Sequence, residues 1–477
     1  KVGSLGMYID TSGVNYTHPI VGVNNLTGLQ KINLIFGSEA ARYTDSKTIE
    51  VGNNIIDPYN TMISNMAAAG TGTKFTLGAG SLTWFATATQ NLSTGALGKV
   101  YLVKIPYTAF AQDTNTYNFL NGLEQRYGVE ADGREKNLFN KLNDLGKGEA
   151  HILAQAIDEM KGHQYANIQQ RVNATGNTLD KEFNYLQNNW RNTTKDSNKI
   201  KVFGMRNEYN TDTAGIIDYT SDAYGVAYVH EDETVKLGNS SGWYAGAVNN
   251  RFRFKDIGKS RENQTMVKAG IFKTMSPVTD HNGSLQWTVA GDAFISRNEM
   301  KRKFWIVDEI FDAKSDYSSY GAAFKTNLGY DVRLSERTHL RPYGALKMEY
   351  GRFNDIKEDN GQIRLEVEGN DYFSVKPEVG IEFKYVQPLA VKTQLSVGLS
   401  AAYENELGKV NNTNKARVRF TSADWYDLRS EKEDRRGSGK FDLNIGVDNT
   451  RLGVTFNAGY DTKGKNVRGG LGFRVIY

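Results

Sequence analysis

The first residues to consider are those that could act as a nucleophile. Gly238-Asn-Ser-Ser-Gly242 fits the Gly-x-Ser-x-Gly pattern of serine hydrolases, with Ser240 in the nucleophile position. That pattern works where a strand turns sharply into a helix, because only then is the hydroxyl exposed above the sheet. Here it separates two stretches of alternating sequence. We therefore interpret it as a turn between strands.

Metal, cofactor and nucleic-acid chemistry have little support in the sequence. Cysteine is absent, and no P-loop or Gly-x-Gly-x-x-Gly motif occurs. The six histidines are too far apart in sequence to suggest metal-ligand spacing, and they are His18, His151, His163, His230, His281 and His339. With 58 Lys and Arg against 54 Asp and Glu, the net charge of +4 gives no reason to expect a nucleic-acid partner. We expect no cofactor, no metal and no enzymatic activity.

The C-terminal half of the chain alternates between apolar and polar residues. In Phe373 to Tyr385 the odd positions are apolar and the even positions are mostly Ser, Lys, Glu or Gly, and Val391 to Tyr403 repeats the pattern. Such runs exceed the usual five or six residues of soluble strands. They match the length that a tilted strand needs to cross a bilayer. No run of 18 apolar residues occurs, which excludes a transmembrane helix.

Twelve alternating segments can be counted in this half. They lie near 201–209, 221–231, 242–254, 264–275, 284–296, 318–333, 338–350, 372–386, 390–404, 439–448, 451–461 and 465–477. In the second half of the series, connections longer than twenty residues and rich in charge (297–317, 351–371 and 405–438) alternate with short turns. An even strand number, with long loops on one rim and short turns on the other, is typical of an outer-membrane barrel. A soluble sandwich with an insertion-rich face is the alternative.

If the barrel stands in lipid, its apolar face must point outward and its polar face into a wet lumen. That parity directs Asp292 and a set of charged residues inward. The predicted lumen charges are Lys325, Arg341, Lys347, Glu349, Lys376, Glu378, Glu382 and Lys384. Both signs are present, so the lumen is not expected to act as a single-sign filter.

A helix is predicted just before the first strand. Leu179, Phe183, Leu186 and Trp190 recur at helical spacing after Gly176, which predicts a helix over about 178–198. Its length of about 31 Å, at roughly 1.5 Å per residue, is close to the thickness of the hydrocarbon layer. The segment, which includes Asn188 and Asn189, is too polar to face lipid. About twelve strands enclose room for one helix, so we expect it inside the lumen; a soluble helix packed on a neighbour is the alternative.

Three regions follow one another along the chain. Residues 1–110 contain short β-prone runs between Gly, Asn and Ser turns, typical of a β-solenoid or a small sandwich. Residues 111–199 are a helical linker that includes the predicted lumenal helix, and residues 200–477 are the barrel. The chain begins with Lys1 and has no initiator Met or signal peptide, so we expect a mature end or a cut fragment of a longer protein.

At its C-terminus the sequence resembles the monomeric (type Va) autotransporters of Gram-negative bacteria, and it is similar to the translocation units of large surface adhesins. The residues that carry the resemblance most specifically are Leu471, Phe473, Val475 and Tyr477 of the last strand. In that family this alternation, ending in an aromatic residue, is the signal read by the barrel-assembly machinery. The commonest family ending is Phe, so Tyr477 is a mild departure.

The resemblance implies an outer-membrane translocator that secretes and anchors its own N-terminal passenger. The partners implied are outer-membrane lipid, the barrel-assembly machinery, the passenger itself and, through an adhesive passenger, a ligand on a host cell or another bacterium. The N-terminal region would be exposed at the cell surface, and a single-chain barrel is expected to be a monomer.

Three alternatives remain open from the sequence. The first is a diffusion porin or transporter with a small surface domain, and the second is a soluble β-solenoid enzyme acting on glycans. The third concerns processing: some autotransporters release the passenger by cyclisation of an Asn inside the barrel, and Asn188-Asn189 lies in the predicted helix. The residues around this pair do not otherwise match those systems. The charged run from Asp424 to Arg436 is interpreted as a solvated outer loop, with a recognition site as the alternative.

Overall fold

A computed structural model describes residues 1–15, 17–130, 133–189, 196–233 and 239–476. The N-terminal region contains six strands, which are β1 (Ser4–Ile9), β2 (Lys31–Phe36), β3 (Thr48–Glu50), β4 (Lys74–Ala79), β5 (Trp84–Gln90) and β6 (Leu97–Lys104). Strands β1, β2 and β4 pair in parallel, with Ser4 opposite Lys31 and Lys31 opposite Lys74. Strands β3, β6 and β5 form a separate antiparallel sheet. The parallel pairing is the kind expected of a solenoid, and the antiparallel sheet departs from it.

One helix of this region was not anticipated from the sequence. Helix α1 (Asn53–Ala68) buries Ile55, Ile56, Tyr59, Ile63 and Met66 in the core of this region and contacts β6, where Asn60 accepts a hydrogen bond from the backbone N–H of Leu97 at 2.7 Å. These apolar positions recur at helical spacing, which is the signal that could have predicted the helix. Pro58 lies in the second turn, where its missing N–H leaves the carbonyl of Asn54 without its usual intrahelical donor.

Four further helices lead from this region into the barrel. They are α2 (Thr114–Arg126), α3 (Gly133–Asn143), α4 (Ala150–Met160) and α5 (Ile168–Asn189). Asp113 caps α2, since its carboxylate accepts a hydrogen bond from the backbone N–H of Thr116 at 2.7 Å. In the described residues, no helix combines the length and apolar character that a membrane span requires.

The rest of the chain forms strands. They are β7 (Asp196–Tyr209), β8 (Tyr219–Glu233), β9 (Ser240–Phe254), β10 (Arg261–Met275), β11 (Thr279–Asp280), β12 (Gly283–Ile306), β13 (Glu309–Arg333), β14 (Thr338–Phe353), β15 (Ile356–Lys357), β16 (Asn360–Gly361), β17 (Leu365–Val367), β18 (Asn370–Ala390), β19 (Thr393–Glu404), β20 (Lys415–Val418), β21 (Tyr426–Asp427), β22 (Ser438–Asp448), β23 (Leu452–Asp461) and β24 (Asn466–Ile476). Twelve of them form a closed antiparallel barrel.

The barrel follows chain order and closes between its first and last strands. Its members are β7, β8, β9, β10, β12, β13, β14, β18, β19, β22, β23 and β24. Strand β24 pairs with β7 from Val467 opposite Arg206 to Ile476 opposite Ser197. Closure leaves no strand edge without a partner, which is what lipid requires of a spanning sheet. The predicted twelve-stranded barrel is confirmed.

Burial is inverted relative to a soluble sheet, as β10 illustrates. The side chain of Lys268 has no exposed surface, and Glu262 and Gln264 are also buried. The neighbouring Val267 and Ile271 are 50% and 70% exposed. Charged groups inside and apolar groups outside are the arrangement of a barrel wall in contact with hydrocarbon.

The two rims of the barrel differ in their connections. One rim, here called the turn rim, has short links such as Val391-Lys392 between β18 and β19. The opposite rim, here called the loop rim, carries residues 354–369 and 405–437. Residues 297–317, predicted as a long loop, are instead strand, because β12 and β13 continue to a two-residue turn at Val307-Asp308 and pair from Ile306 opposite Glu309. In that segment the apolar residues move to the inward face, where Phe304, Ile306 and Phe311 are buried, and the outward face becomes charged.

The two long loops combine into one structure above the loop rim. Strands β15, β17, β20 and β21 form a four-stranded sheet. Tyr426 of β21 packs edge-on against Phe119 of α2, with ring centroids 5.5 Å apart. Asn118 of the same helix donates a hydrogen bond to the carbonyl of Trp425 at 3.0 Å. Part of the charged run predicted as a solvated loop is therefore packed against the N-terminal region.

The bounds of the helix before the barrel differ from the prediction. A helix over about 178–198 was expected, whereas α5 covers Ile168–Asn189 and β7 already begins at Asp196. Gly176 does not end the helix. A Cβ at this position would lie 3.2 Å from Nζ of Lys268, so the glycine lets the helix approach the barrel wall. An interior glycine costs about 1 kcal/mol of helix stability. The contacts that α5 makes on either side of Gly176 stabilise the helix by more than this.

Candidate functional site: the barrel lumen and its central helix

Helix α5 enters the lumen at the loop rim and runs towards the turn rim. Its apolar stripe consists of Leu179, Phe183 and Leu186, all buried. The ring of Phe183 lies 4.6 Å from that of Tyr244 on β9. Gly246 on the same strand makes room for the stripe, because a Cβ there would lie 2.9 Å from Cδ2 of Leu179 and 3.0 Å from Cζ of Phe183. A small residue on the wall thus fixes how closely the helix can approach.

The polar side of α5 is centred on Asp180, which is buried within the lumen. Three lysines from three different strands reach its carboxylate. Lys268 of β10 donates at 3.1 Å to both carboxylate oxygens, Lys325 of β13 donates at 2.5 Å, and Lys347 of β14 also donates to it. One helix residue is therefore bound to strands that are distant in sequence.

Two wall carboxylates complete the charge balance of this cluster, here called the Asp180 cluster. Asp292 lies 2.9 Å from Lys325, and Glu349 lies 3.2 Å from Lys268. Three ammonium groups thus meet three carboxylates. The acceptors are further held by neutral donors: Tyr244 donates to Asp292 at 2.7 Å, and Tyr372 donates to Glu349 at 3.0 Å. In the buried lumen such a network is stable only when every member is satisfied.

A second set of polar contacts holds the upper part of α5, near the loop rim. The guanidinium of Arg171 donates to Glu262 of β10 at 2.9 and 3.3 Å, and both side chains are fully buried. Thr175 donates to Gln264 at 2.7 Å and accepts from Asn250 of β9 at 3.1 Å. These contacts fix the rotation of the helix one turn above the Asp180 cluster.

A third set holds the lower end, near the turn rim. Glu182 is paired with Lys201 of β7, whose ammonium also donates to Asn457 at 2.6 Å. Just above this pair, Lys181 contacts Asp461, at the loop-rim end of β23, at 2.5 Å. Lys199 donates at 3.0 Å to the carbonyl of Leu186, one of the last carbonyls of the helix. A cation at this end suits both the unpaired carbonyls and the helix dipole.

The loop-rim mouth is closed by buried polar contacts of its own. Arg302 of β12 forms a two-point contact with Glu358 at 2.8 and 3.0 Å, and Tyr165 donates to the same carboxylate at 2.9 Å. Asn414 donates to the carbonyl of Tyr165 at 2.8 Å. The segment between α4 and α5 is therefore bound to both long loops.

An ion pair beside the mouth joins α4 to the second long loop. Asp158 lies 2.7 Å from Arg429 and 3.3 Å from Nε2 of His163. Burial opposes the charge of Asp158, but the hydrogen bond to His163 and the Arg429 guanidinium outweigh it and lower its pKa to about 2. Burial also lowers the pKa of His163, against the opposing effect of Asp158. The contact is therefore charged on Asp158 and Arg429 at neutral pH.

The helix does not fill the whole lumen. A cavity of about 240 Å³ lies between the lower half of α5 and the wall formed by β14, β18, β19, β22 and β23. A smaller one, of about 80 Å³, lies beside Asn177 and Asp180. Lys181, Asn184 and Lys440 line both cavities, so the two spaces adjoin. The lining carries both signs of charge, and this side of the lumen can hold water.

Comparison with known families decides what kind of barrel this is. The sequence profile of the autotransporter beta-domain family matches residues 199–461, more than half of the chain. The chain belongs to this family. Autotransporter beta-domains are translocators of outer-membrane secretion, and their fold is a transport domain with no catalytic role. The autotransporter therefore resides in the outer membrane, and the passenger of such a barrel is exported to the cell surface.

Solved structures similar to this autotransporter include three translocators. The translocator domain of NalP from Neisseria meningitidis is 11% identical, with a TM-score of 0.47, over 64% of this chain and 96% of that one. The transport unit of AIDA-I from Escherichia coli is 13% identical, with a TM-score of 0.43, over 64% and 98%. The beta domain of BrkA from Bordetella is 10% identical, with a TM-score of 0.42, over 60% and 100%. A search of curated proteins finds no match.

The predicted lumen charges fall on the inner wall of the autotransporter barrel, but they do not form one site. Lys325, Lys347 and Glu349 belong to the Asp180 cluster. The others line the cavity side: Arg341 lies 3.5 Å from Glu382, Glu378 lies 2.5 Å from Lys440, and Lys376 and Lys384 line the two cavities. The first group holds the helix, and the second group leaves space beside it.

The residues that hold the helix most directly were only partly anticipated. Asp180, Lys268, Arg171 and Glu262 were not among the predicted site residues. Lys268 and Glu262 have the inward parity of an alternating strand, which is a signal that could have found them. Arg171 lies before the predicted start of the helix, so no sequence pattern placed it in the lumen.

The remaining predicted residues lie on β24 or at the lower end of α5. Leu471 and Phe473 point outward and are about half exposed, and Val475 pairs with Leu452 of β23. Tyr477 and Trp190 lie outside the described residues, as do the side chains of Asn188 and Asn189.

The serine of the Gly-x-Ser-x-Gly motif lies at the start of a strand. Ser240 opens β9 instead of a helix, and its side chain is buried. Within the described ranges, no three His, Asp or Glu side chains are grouped so that they could hold a metal ion.

Proposed function

We propose that this autotransporter exports its own N-terminal passenger through the barrel, anchors it at the cell surface, and carries in residues 1–110 the C-terminal end of that passenger. Residues 111–199 then form the linker, including the lumenal helix, and residues 200–477 form the translocator. The passenger is an adhesin that contacts a ligand on a host cell or another bacterium. This last assignment rests on the resemblance to the translocation units of large surface adhesins.

The path of the chain carries the export proposal. The helical linker that follows residues 1–110 packs on the loop rim, where Arg134 of α3 donates to the carbonyl of Ile310 at 2.7 Å. From there α5 passes down the lumen, bound at Arg171, Asp180 and Glu182, and the first strand starts at the turn rim with Asp196. The chain thus starts outside the barrel, passes through the lumen and then forms the barrel wall. This is the path expected of a segment left in the pore after export.

The free edge of β1 supports the assignment of residues 1–110. Within the described residues β1 is the outer member of the three parallel strands and pairs only with β2. In-register parallel strands form a template on which a preceding strand of the passenger can pair in the same way. We expect this region to serve as the folding template for the passenger's C-terminal part.

For Leu471, Phe473, Val475 and Tyr477 we propose the role of the signal read by the barrel-assembly machinery. The outward exposure of Leu471 and Phe473 on the closing strand suits recognition before closure, because the same strand must later pair with β7. The single chain closes its own barrel, which agrees with a monomer.

A diffusion porin is the alternative, and the occupied lumen argues against it. An open pore has no use for a helix bound by three layers of ion pairs. Planar-bilayer recordings separate the two proposals, since a porin gives a large and stable conductance, whereas the helix-filled autotransporter gives only a small one through the space beside α5.

The experiment that tests export is surface accessibility in intact cells. An epitope placed before Ser4 should be removed by added protease, because the N-terminal region lies outside. The matched control is the same epitope inserted between Val391 and Lys392 at the turn rim, which should stay protected until the outer membrane is permeabilised. An N-terminal epitope that is protected in intact cells while the control is cleaved would overturn the proposed topology.

Two further measurements test the finer assignments. Deletion of residues 1–110 should impair display of a passenger fused upstream, and unchanged display would refute the template role. Adhesion is tested by expressing the complete protein in a non-adherent strain, where failure to increase binding to host cells or to other bacteria would refute the adhesin assignment.

A further inference from the structure

Four cations lie side by side on the outer wall of the barrel, near the loop rim. Arg253 of β9 pairs with Arg261 of β10, Arg261 pairs with Lys301 of β12, and Lys301 pairs with Lys314 of β13. These four residues are here called the basic row. Their position on the face shared with Val267 and Ile295 follows from the alternation of the strands.

The basic row is unfavourable for the isolated protein. Side chains directly opposite each other in an antiparallel sheet have Cβ atoms about 5 Å apart, and like charges in such pairs are destabilising. Arg253 has a distant carboxylate partner, Asp222, at 3.7 Å. Within the described part of the chain, Arg261, Lys301 and Lys314 have no carboxylate within ion-pair distance. A row of opposed cations on adjacent strands is therefore stabilised by an anion from outside.

The acidic residues on the same face do not neutralise the row. Asp316 lies 3.8 Å from Arg297, and Asp312 is opposite Lys303. Glu299 is one outward position nearer the turn rim, opposite Asn263 and Asp316. Arg251, opposite Asp222, adds another exposed cation to this face. Cations are in excess, and the excess is concentrated in the basic row.

The height of the row above the apolar band indicates what the anion is attached to. On β10 the outward apolar residue nearest the row on its membrane side is Val267, and on β12 it is Ile295; Trp305 and Ile310 lie beyond the row, where β12 and β13 extend above the other strands. Arg261 and Lys301 each follow six positions closer to the loop rim. At roughly 3.3 Å per residue this is about 20 Å along the strand, or about 15 Å along the membrane normal for a tilt of roughly 40°.

We propose that the basic row is a binding site for the phosphate groups of a glycolipid in the outer leaflet of the membrane around the barrel. A height of about 15 Å exceeds the headgroup layer of a simple phospholipid, since the headgroups add only about 5 to 8 Å on each side of the hydrocarbon core. It fits phosphates carried on the sugars of a larger headgroup. Arginine is suited to the task, because its planar guanidinium binds phosphate through two parallel hydrogen bonds.

The test compares the full chain in detergent with a triple variant, Arg261→Gln, Lys301→Gln and Lys314→Gln. The probe is purified rough-type lipopolysaccharide with phosphorylated inner-core sugars, and the second probe is the same material after its phosphates have been removed. The control variant removes three exposed cations of the N-terminal region: Lys31→Gln, Lys74→Gln and Lys147→Gln. Native mass spectrometry measures lipid retention, and the temperature of unfolding is followed with and without each probe.

The phosphorylated probe should be retained by the wild type and the control variant and should raise their unfolding temperatures. The triple variant should bind it on the order of 100-fold more weakly, because each Lys or Arg at an anionic membrane surface contributes roughly fivefold in affinity. Without lipid, the triple variant should unfold at the same temperature as the wild type or higher, since the opposed cations are gone. An unchanged or higher unfolding temperature would show that the weaker binding comes from loss of the site and not from loss of the fold.

Three results would overturn the proposal. One is equal binding of the phosphorylated and dephosphorylated probes, which would mean that the contact is apolar. Another is an equal loss of binding in the control variant, which would mean that only the total charge matters. The third is full stabilisation by inorganic phosphate at the same concentration, which would mean that the row binds a free anion and not a membrane lipid.

Discussion

At the scale of single residues, Asp180 has the most consequential position in the molecule. It is the one member of the Asp180 cluster that comes from the helix, and its carboxylate is shared by Lys268, Lys325 and Lys347. Without Asp180, the three lysines of the cluster would have only Asp292 and Glu349 as counter-charges. The ionic attachment of α5 to this cluster therefore depends on Asp180, while Asn173 and Asn177 add neutral hydrogen bonds to Glu349 and Lys347.

Asp180→Asn should loosen the helix without unfolding the barrel. The amide keeps the shape of the carboxylate but leaves one of three buried ammonium groups without a counter-charge, which costs about 3 kcal/mol. We expect the temperature at which the SDS-resistant folded band disappears to fall by roughly 5 to 10 °C. The matched control is Asp424→Asn at an exposed loop position, which should leave that temperature unchanged.

A second substitution makes this prediction sharper. Adding Lys325→Met to Asp180→Asn removes the excess cation, so part of the lost stability should return. If the double variant is less stable than Asp180→Asn by the full effect of Lys325→Met alone, the two residues do not interact and the cluster is not the attachment point.

Glu431 in the second long loop predicts a pH dependence of that loop. Burial, together with the charges of Asp434 and Glu433, raises the pKa of Glu431 to about 7. A carboxyl with a higher pKa in the folded than in the unfolded state favours folding when protonated. This contribution is present below about pH 4.5 and is lost as the pH rises through 7.

We therefore expect protection of residues 405–437 from hydrogen exchange, measured between pH 6 and 8 and corrected for the intrinsic rate, to decrease with rising pH. Glu431→Gln, which cannot ionise, should flatten this dependence. The same substitution at the exposed Glu336 serves as the control. A wild-type loop whose corrected protection is constant over this range would contradict the assigned pKa.

At the scale of elements, the position of α5 depends on a point of the barrel wall that has no side chain. Gly246 lies under the apolar stripe of the helix, and a Cβ there would also come within 2.9 Å of the carbonyl oxygen of Val226. Backbone of the neighbouring strand cannot move aside as a flexible side chain can. The glycine thus allows the helix and the wall to be in contact.

Gly246→Ala should displace α5 and enlarge the passage beside it. We expect a higher single-channel conductance in planar bilayers and a lower unfolding temperature, because overpacking of this kind costs about 1 to 3 kcal/mol. Gly398→Ala is the matched control: it also faces the lumen, but its Cβ would lie 3.4 Å from the Asn444 side chain beside the cavity. Equal conductance of the two variants would show that Gly246 does not set the position of the helix.

The element above the loop rim acts on the helix from outside. The four-stranded sheet of the two long loops is bound to α2 through Phe119 and Tyr426, and Arg302 joins Glu358 to the wall. The upper end of α5 begins directly below these contacts, after Tyr165. The mouth, the loops and the N-terminal region are therefore mechanically connected.

At the scale of the whole molecule, closure of the barrel is the step on which membrane insertion depends. Strand β24 is the last to be made and pairs on both sides, with β23 and with β7. Until it is in place, both of these neighbours have an unpaired edge. Such edges are not tolerated in hydrocarbon, because each unpaired backbone group costs several kcal/mol there.

Deletion of residues 467–477 should therefore abolish assembly in the outer membrane. The expected result is loss of the heat-modifiable band from the membrane fraction and degradation or aggregation of the chain. A control deletion of residues 4–14, which lie far from the barrel, should leave the band in place. Normal insertion without residues 467–477 would contradict both the closure argument and the proposed assembly signal.

Much of the barrel could be predicted from the sequence, whereas the loops and the helix bounds could not. Alternation is a local property with a period of two, so segments such as 372–386 and 451–461 can be recognised residue by residue. The stretch 297–317 does not continue the outward apolar pattern, because its outward face is charged and its apolar residues, such as Phe304 and Phe311, point inward. Helix α1 was missed although its apolar spacing is helical, because the surrounding β-prone runs dominated the interpretation.

The strand number, the outward apolar face and the family resemblance could be read from the amino-acid sequence, because each of these depends on the order of residue types along the chain. The start of α5 at Ile168, the contacts of Asp180 with three strands and the four opposed cations of β9, β10, β12 and β13 became visible only in the folded barrel. These facts depend on register and on closure, which bring together residues far apart in sequence. A local pattern predicts which face of the strand a lysine is on. Which carboxylate the lysine contacts depends on the closed barrel.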